Sequence, residues 1–599
     1  MCGRGIFVWK LFRSEYNRVI AIAVGIGVIS GFSALFFFEA MQFAASLLLG
    51  MVGGITLPAA GATVGEIGAW QHPSSLLMLL PVICLGAFLS AIIVYRFAPE
   101  CEGAGTDAAI AAYHGDGRIR WRVPLVKAVS SVLVIGSGGS AGRLGPMAQI
   151  SAGFGSIFAD IFHLDERERR IVLATGIGAG IATIFKAPLG GAILCAEIMY
   201  RGDFESDVIV PSFLASVVGY AIFGYFEGYD PVFSLASTAW TYAQIPLFLI
   251  LGVVAGLFGL LYIWSYKSGR KMFSSFFAAH GAPIYLKPVC GAFGVGLFAI
   301  LVSQISPDAM LVGLASLGTG YGVMQVAMYG LLPFSVLLFI PFAKIFTTSL
   351  TVGSGGSGGL FGPALVIGAG AGGALGTGLH MLVPQLVPLA SVPAFVVVGM
   401  IALFGGISNA PVSVLIMIVE MTGNFSLLVP AMGAVAISFL MTSGETIFDA
   451  QVKNRAYSPA HRREYRVDIL EDIPVSDAMV PRDEVITVAP DCTISSLYDK
   501  FRSTHHTGFP VVENGRLCGV ITITDVRAAD GNAETMYVKD FMTTDLVTVT
   551  GHTSLEQAVT TMAESHIRHI PVVYEAKHDS LAGFLTSADV MRLYMQHLK

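Results

Sequence analysis

Long apolar runs recur along the chain as far as about residue 448. Val19 to Phe38, Leu76 to Val94, Ile245 to Trp264 and Val396 to Leu403 are among them, and several are long enough to cross ~30 Å of hydrocarbon. Beyond residue 455 the pattern changes. Short β-branched strands alternate with charged helical stretches up to Lys599, and no run there is of spanning length. The pattern predicts a polytopic, all-α membrane body over residues 1–455, a linker over 456–472, and a soluble α/β tail in two parts, 473–530 and 531–599.

Composition strengthens the membrane reading. The 599 residues are 54% hydrophobic and only 13% charged, with a mean hydropathy of +0.71, whereas a soluble domain carries about 25% charged residues. The net charge of -6 comes with no polybasic tract, so nothing points to a nucleic-acid partner. Seven cysteines, at 2, 84, 101, 195, 290, 492 and 518, form no C-x-x-C. They read as free thiols, against a disulfide framework or a metal site. No small-residue cleavage site follows the first apolar segment, so a removed signal peptide is not expected. Arg4, Lys10, Arg13 and Arg18 precede that segment, and Lys453, Arg455, Arg462, Arg463 and Arg466 follow the last one. The positive-inside rule then places both termini in the cytoplasm; the cytoplasmic membrane of a prokaryote is the expected location. Without a nucleophile–base set, metal cluster or P-loop in the sequence, an enzyme is not expected and no cofactor is required.

An internal repeat supplies the chemistry. Gly136-Ser-Gly-Gly-Ser-Ala-Gly-Arg-Leu-Gly-Pro146 returns 217 positions later as Gly353-Ser-Gly-Gly-Ser-Gly-Gly-Leu-Phe-Gly-Pro363, with eight of eleven positions identical. Ala187-Pro188 with Glu197 behind it is echoed by Ala410-Pro411 with Glu420 behind it. Repeat-built membrane proteins place their substrate site at the repeat interface, on broken helices. A Gly-rich stretch at membrane depth must be packed in protein or line a wet cavity. Each copy ends in Gly-Pro before good helix formers, so each reads as a helix N-terminus that attracts an anion through free N–H groups and the helix dipole. Close helix packing is the alternative for a single such stretch; two matching copies favour the ion site. The loose likeness of Gly136-x-Gly138 to a dinucleotide fingerprint lacks the soluble βαβ context that motif needs.

Gly142-Arg-Leu-Gly-Pro146, Gly359-Leu-Phe-Gly-Pro363 and Gly103-Ala-Gly-Thr-Asp107 resemble the three anion-binding signatures of the CLC chloride channel and transporter family. Ala187-Pro-Leu-Gly-Gly191 and Thr446-Ile-Phe-Asp-Ala-Gln451 match further stretches, and the resemblance runs from about residue 17 to 455. It implies two inverted-topology repeats and a homodimer in the lipid bilayer with one path for small anions, chloride above all, in each subunit. By the same resemblance Ala104, Gly105, Gly142, Arg143, Leu144, Gly145, Pro146, Leu360, Phe361 and Phe448 belong to the path, with the amides of Gly145, Leu360 and Phe361 lining it. Ala104 and Phe448 stand where many relatives have a serine and a tyrosine hydroxyl, and neither can donate a side-chain hydrogen bond. Leu144 occupies the gate position, usually a glutamate that also accepts the external proton. Ile198 occupies the inner proton-site position, with Glu197 one residue before it. With both carboxylates replaced, the expectation is passive, channel-like conduction without proton coupling. Alternatives are a chloride/proton antiporter using another proton route, a nucleotide-sensing protein with a non-conducting pore, and a Leu144 that packs in the core or plugs the path by dewetting. Lys186 has two readings: a cation near the inner mouth, or a helix-end lysine reaching the interface.

The tail repeats as well. Val475-Ser-Asp-Ala-Met479 pairs with Val538-Lys-Asp-Phe-Met542, Phe509-Pro-Val-Val512 with Ile570-Pro-Val-Val573, and Gly519-Val-Ile-Thr-Ile-Thr-Asp525 with Gly583-Phe-Leu-Thr-Ser-Ala-Asp589. This resembles a pair of CBS motifs. Such a resemblance implies an adenine nucleotide (ATP, ADP or AMP) as a candidate ligand, held by Thr522, Asp525, Thr586 and Asp589, and a possible regulatory role. The same Thr and Asp serve equally as N-caps, and the pair serves equally as a dimer scaffold. The neighbouring His505, His506, His566 and His569 read as surface or core residues rather than metal ligands.

Overall fold

The computed structural model describes residues 15–64, 76–235, 239–461, 470, 473–527, 534–575 and 577–597. Cys2, Arg4, Lys10, Arg13, Arg462, Arg463, Arg466 and the boundary at residue 530 lie outside these. Two compact units are present, Met1–Ala460 and His461–Lys599.

The first unit is helical. Among its described residues nine helices are long and apolar enough to cross a membrane, from Arg18–Val52 to Phe425–Thr442. Val123–Gly136, Pro188–Glu197 and Pro411–Thr422 are shorter. At 1.5 Å per residue the last two reach only about 15–18 Å, half the hydrocarbon thickness, so their ends fall inside the body. The Leu389–Ile407 segment is apolar on every side because protein surrounds it: 94% of its most apolar window is buried.

The two halves meet across a two-fold relation. The Gly142 amide donates to the Gly359 carbonyl at 2.7 Å, and the Gly359 amide returns the bond to Gly142 at 2.8 Å. These residues stand 217 apart, the offset of the sequence repeat. An antiparallel bridge between equivalent residues is what a two-fold axis passing between them produces. The relation extends outward. Ser131 bonds Ser357 at 3.0 Å while Ser140 bonds Thr348 at 2.9 Å, and 217 positions separate Ser131 from Thr348 and Ser140 from Ser357.

Farther out the Ala-Pro echo pairs in the same reciprocal way. Glu197 accepts from the Val412 and Ser413 amides at 3.1 and 2.8 Å. Glu420 accepts from the Leu189 and Gly190 amides at 3.1 and 2.8 Å. Each carboxylate thus caps the first turn of the other repeat's short helix, where orphan donors would otherwise face an apolar interior.

In the tail, Gly508–Glu513 and Arg516–Thr522 form an antiparallel hairpin, and a four-stranded sheet has the order Val480–Pro481, Lys577–Thr586, His569–Tyr574, Val549–Thr550. Each hairpin runs into a helix, Ile523–Arg527 or Ser587–His597. The motifs exchange their leading segments. Val475 donates to Thr553 and Val480 pairs with Phe584, while Val538 donates to Cys492 and Val520 bridges Thr543. Each of the two cores, around Leu555, Ile570 and Leu585 and around Leu497, Phe509 and Ile521, therefore depends on both motifs.

The glycine at 359 is required by proximity. A Cβ there would stand 2.7 Å from the Gly145 amide nitrogen and 2.8 Å from the Gly142 oxygen, both backbone atoms. Gly359→Ala is expected to cost about 1–3 kcal/mol through overpacking and to lower the thermal midpoint of the detergent-solubilised protein, as read by a melting assay.

Candidate anion path and tail cleft

Three Gly-rich segments meet at the repeat interface. Beside the Gly142–Gly359 pair, Ala104 bridges Gly358, and the Gly358 amide donates to Gly103 at 3.3 Å. A Cβ on Gly105 would lie 2.4 Å from the Gly145 oxygen, and one on Gly145 would lie 3.0 Å from Gly359 Cα. Sequence segments more than 200 residues apart are therefore in backbone contact. From this junction start the helices Gly105–His114, Leu144–Ile161 and Phe361–Leu382. The first amides of each have no intrahelical acceptor, and Pro146 and Pro363 lack the N–H that would have needed one.

The expected path residues separate into distinct roles. Gly105, Leu144, Gly145, Pro146 and Phe361 occupy first turns, while Ala104, Arg143 and Leu360 occupy the caps before them. Gly142 is different: its amide is taken by Gly359, so it ties the loops together and is not available as an anion donor. Leu144 is 1% exposed and Phe361 likewise 1%, both within the apolar core. Phe361 packs edge-on to Phe185 and Phe404, with ring centroids 5.0 and 4.6 Å away. Tyr262, fully buried, donates to the Leu360 carbonyl at 3.2 Å.

Phe448 and Ile198 lie together. Gln451 donates to the carbonyls of Ile198 at 2.9 Å and Ser408 at 2.8 Å, and its own oxygen accepts from Asn409 at 3.2 Å and from Thr446. The Thr446 hydroxyl accepts from the Phe448 amide at 3.1 Å. Beside them Glu205, 2% exposed, accepts from Tyr113 and Tyr200 at 2.6 and 2.7 Å and pairs with Arg455 at 3.3 Å. Lys186 is elsewhere. Its ammonium donates to the Glu227 carbonyl at 2.8 Å and the ring of the preceding Phe185 lies 5.1 Å from the Arg143 guanidinium, which places it with the Leu144 helix start. The Pro188–Glu197 helix, about 15 Å long, separates it from Ile198.

Sequence reasoning passed over two buried lysines. Lys127 donates to the carbonyls of Cys101 at 3.0 Å and Gly103 at 2.8 Å. Lys344 donates to those of Ser316, Leu317 and Gly318 at 3.2, 3.3 and 2.8 Å. Both are 0% exposed, and no carboxylate among the described residues pairs with either. They are 217 residues apart, as are Cys101 and Gly318, so the repeat offset was the signal that could have found them.

In the tail, the Thr522 hydroxyl and amide donate to Asp525 at 2.7 and 2.8 Å, and those of Thr586 donate to Asp589 at 2.6 and 3.1 Å. Asp589 also pairs with Arg592. All four residues therefore act as helix-start caps in this structure. His569 stands between the motifs, with Nε2 3.0 Å from the Thr507 hydroxyl and its ring stacked 6.0 Å from Phe584.

A family model described as "Voltage gated chloride channel" matches residues 86–443, and one described as "CBS domain" matches residues 475–532 and 538–596. An uncharacterized protein of Methanocaldococcus jannaschii is 32% identical over 402 residues, 67% of this chain and 93% of its own. The H(+)/Cl(-) exchange transporter ClcA of Yersinia pestis is 29% identical over 464 residues, 74% of this chain and 90% of its own. Among solved structures, a slow cyanobacterial Cl-/H+ antiporter shares the fold with a TM-score of 0.60 at 24% identity, covering 72% of this chain and 96% of its own.

Burial holds the His569 imidazole below its ordinary 6.5; Arg568 acts in the same direction, and Asp525 and Asp589 oppose it. A depressed folded-state value means the unfolded tail takes the proton first. Stability from neutral His569 is present above pH 6.5 and lost as pH falls through the lower folded-state value. Hydrogen-exchange protection of the tail in the full chain, corrected for the intrinsic pH dependence of exchange, is expected to fall on acidification across that window, and His569→Gln should flatten the dependence.

Proposed function

Because the chain belongs to the voltage-gated chloride channel (CLC) family, we propose that this integral, multi-pass membrane protein carries chloride and related small anions through the junction of its two repeats. One observation carries this reading: the sign of the charge buried there. In the body Glu168 and Glu205 pair with Arg18 and Arg455, and Glu197 caps a helix. Lys127, Arg143 and Lys344 are buried with no carboxylate at ion-pair distance among the described residues. Buried charges of one sign, next to first turns that present N–H groups, favour an anion and disfavour a cation. By the family resemblance the path has one copy in each subunit of a homodimer, and both termini are cytoplasmic, which puts Leu144 on the external side.

For the energetics of transport, the name of the ClcA relative favours exchange against protons over the passive conduction expected from the sequence. Exchange needs a proton route other than the family's usual pair, since Leu144 and Ile198 cannot ionise and Glu197 is engaged by Val412 and Ser413. Glu205, whose amide bonds the Ala196 carbonyl at 3.0 Å, is the next buried carboxylate in sequence after Glu197. Those same replacements keep uncoupled conduction as a second reading. The tail is proposed to be regulatory, with an adenine nucleotide as its candidate ligand.

Protein in liposomes given a chloride gradient is expected to pass chloride; simultaneous internal pH recording decides the coupling. Uphill proton movement at a fixed ratio to chloride establishes exchange, and chloride flux without it establishes passive conduction. Leu144→Glu should make flux rise as pH falls, since a charged carboxylate competes with anions at the helix start and a protonated one does not.

ATP, ADP and AMP titrated into the full chain are expected to bind in the tail. Asp525→Ala should weaken binding about tenfold to a hundredfold by leaving ligand donors unpaired, at about 1–3 kcal/mol. Absence of binding at millimolar nucleotide identifies the tail as a scaffold.

A further inference from the structure

Two polar groups beside the start of the Leu144–Ile161 helix keep donor hydrogens that the fold does not use. Arg143 is 4% exposed, and its guanidinium is boxed by the rings of Phe38, Phe185 and Tyr321, at 5.3, 5.1 and 4.9 Å from their centroids. Among the described residues its Nε has no well-formed hydrogen bond, and the hydroxyl of Tyr321, a residue likewise 4% exposed, faces only this guanidinium, so its proton has no acceptor. Glu227 acts on Arg143 only from beyond ion-pair distance. A guanidinium out of water without a carboxylate is costly, and aromatic faces offset only part of that cost. A buried hydroxyl whose proton finds no acceptor adds to it.

Both groups address one place. Arg143 caps the Leu144–Ile161 helix, and Tyr321 Oη would lie 3.3 Å from a Cβ on Gly362, in the first turn of the Phe361–Leu382 helix. Gly142 and Gly362 bring those two helix starts together, since a Cβ on Gly142 would be 2.6 Å from the Gly362 nitrogen. Lys186 adds a second positive charge nearby. A phenol donor, a guanidinium and two sets of first-turn amides therefore converge, and every one is a donor or a cation.

We propose that Tyr321 and Arg143 are side-chain ligands for an anion held at these two helix starts. They supply the side-chain donors that Ala104 and Phe448 cannot, and so set affinity and choice among halides and nitrate. The inference rests on the reading of the body as an anion path. A phenol selects by hydrogen-bond strength, so the compact, strongly accepting chloride gains more from it than the diffuse nitrate.

Tyr321→Phe is the decisive variant because it deletes only the phenol oxygen and leaves the ring that packs on Arg143. Isothermal titration of the full chain in detergent with sodium chloride is expected to show affinity reduced by about tenfold. The thermal midpoint in chloride-free buffer should stay at the wild-type value, and the stabilisation by added chloride should shrink. Liposome flux should show a loss of chloride preference over nitrate. Arg143→Lys keeps the charge but not the planar fork, and should also change that preference; it provides the test if Tyr321→Phe does not fold. Wild-type chloride affinity and selectivity in a folded variant overturn the assignment. A wild-type protein that neither binds nor passes chloride overturns instead the anion reading on which the assignment rests.

Discussion

Backbone at membrane depth has no water to bond, and the fold is organised around meeting that demand where two chains of glycines interrupt the helices. The reciprocal Gly142–Gly359 bonds satisfy the loops at their point of closest approach. Only residues without a Cβ can come so near, since any side-chain atom at either position would fall within 3 Å of backbone. The bonds fix the relative orientation of the Leu144–Ile161 and Phe361–Leu382 helices. Their first turns are thereby left as unsatisfied donors facing a common place, and those donors define what the body can hold.

The same constraint explains the unusual placement of charge. Irregular segments leave carbonyls as well as amides unpaired, and Lys127 and Lys344 serve the carbonyls at equivalent points of the two repeats. Glu197 and Glu420 serve amides, again at equivalent points. Carboxylates are thus consumed as helix caps, away from the junction, while ammonium groups lie beside it. A positive interior therefore follows in part from how the backbone is satisfied, before Arg143 is counted. It also explains why Glu197 is a poor substitute for a carboxylate at 198: protonating it would weaken its bonds to Val412 and Ser413 and loosen the cap of the Pro411–Thr422 helix.

Much of this was legible in the sequence, because a repeat with an exact offset carries three-dimensional information. The Gly-Pro endings marked helix starts, and the Ala-Pro echo marked the second pair of equivalent helices. The offset was applied only to the conspicuous glycines; carried through to Lys127 and Lys344 it would have exposed the buried lysines. Tyr321 was not legible by that means, since its partners Arg143, Phe185 and Gly362 come from separate parts of the chain and no motif joins them. Lys186 was ambiguous because sequence gives the length of the short helix after it but not which end of the path each terminus meets. In the tail the motifs were plain. The exchange of their leading segments was not, because Val475 and Val538 look alike and either could pair with its own hairpin.

That the chain leaves the body beside Ile198 limits how any signal could travel along it. Residues 446–458 are held by Gln451 to Ile198 and Ser408, by Val452 to Arg201, and by Asp203 and Glu205 to Arg455. His114 adds a bond to Ser458 at 2.8 Å. Covalent continuity connects the tail to this stretch, and the carbonyl of Ile198 is one hydrogen bond from it. A ligand in the tail changes transport only if it favours one arrangement of this stretch over another by a difference in binding free energy. The density of bonds here works against small displacements, so coupling through the chain requires the Glu205–Arg455 and Gln451–Ile198 contacts to exchange as a set. Breaking the Gln451 bond alone would take a donor from the buried Ile198 carbonyl, and breaking the Arg455 pair alone would remove the cation from Glu205 and leave it its tyrosine donors, each at a cost of about 1–3 kcal/mol.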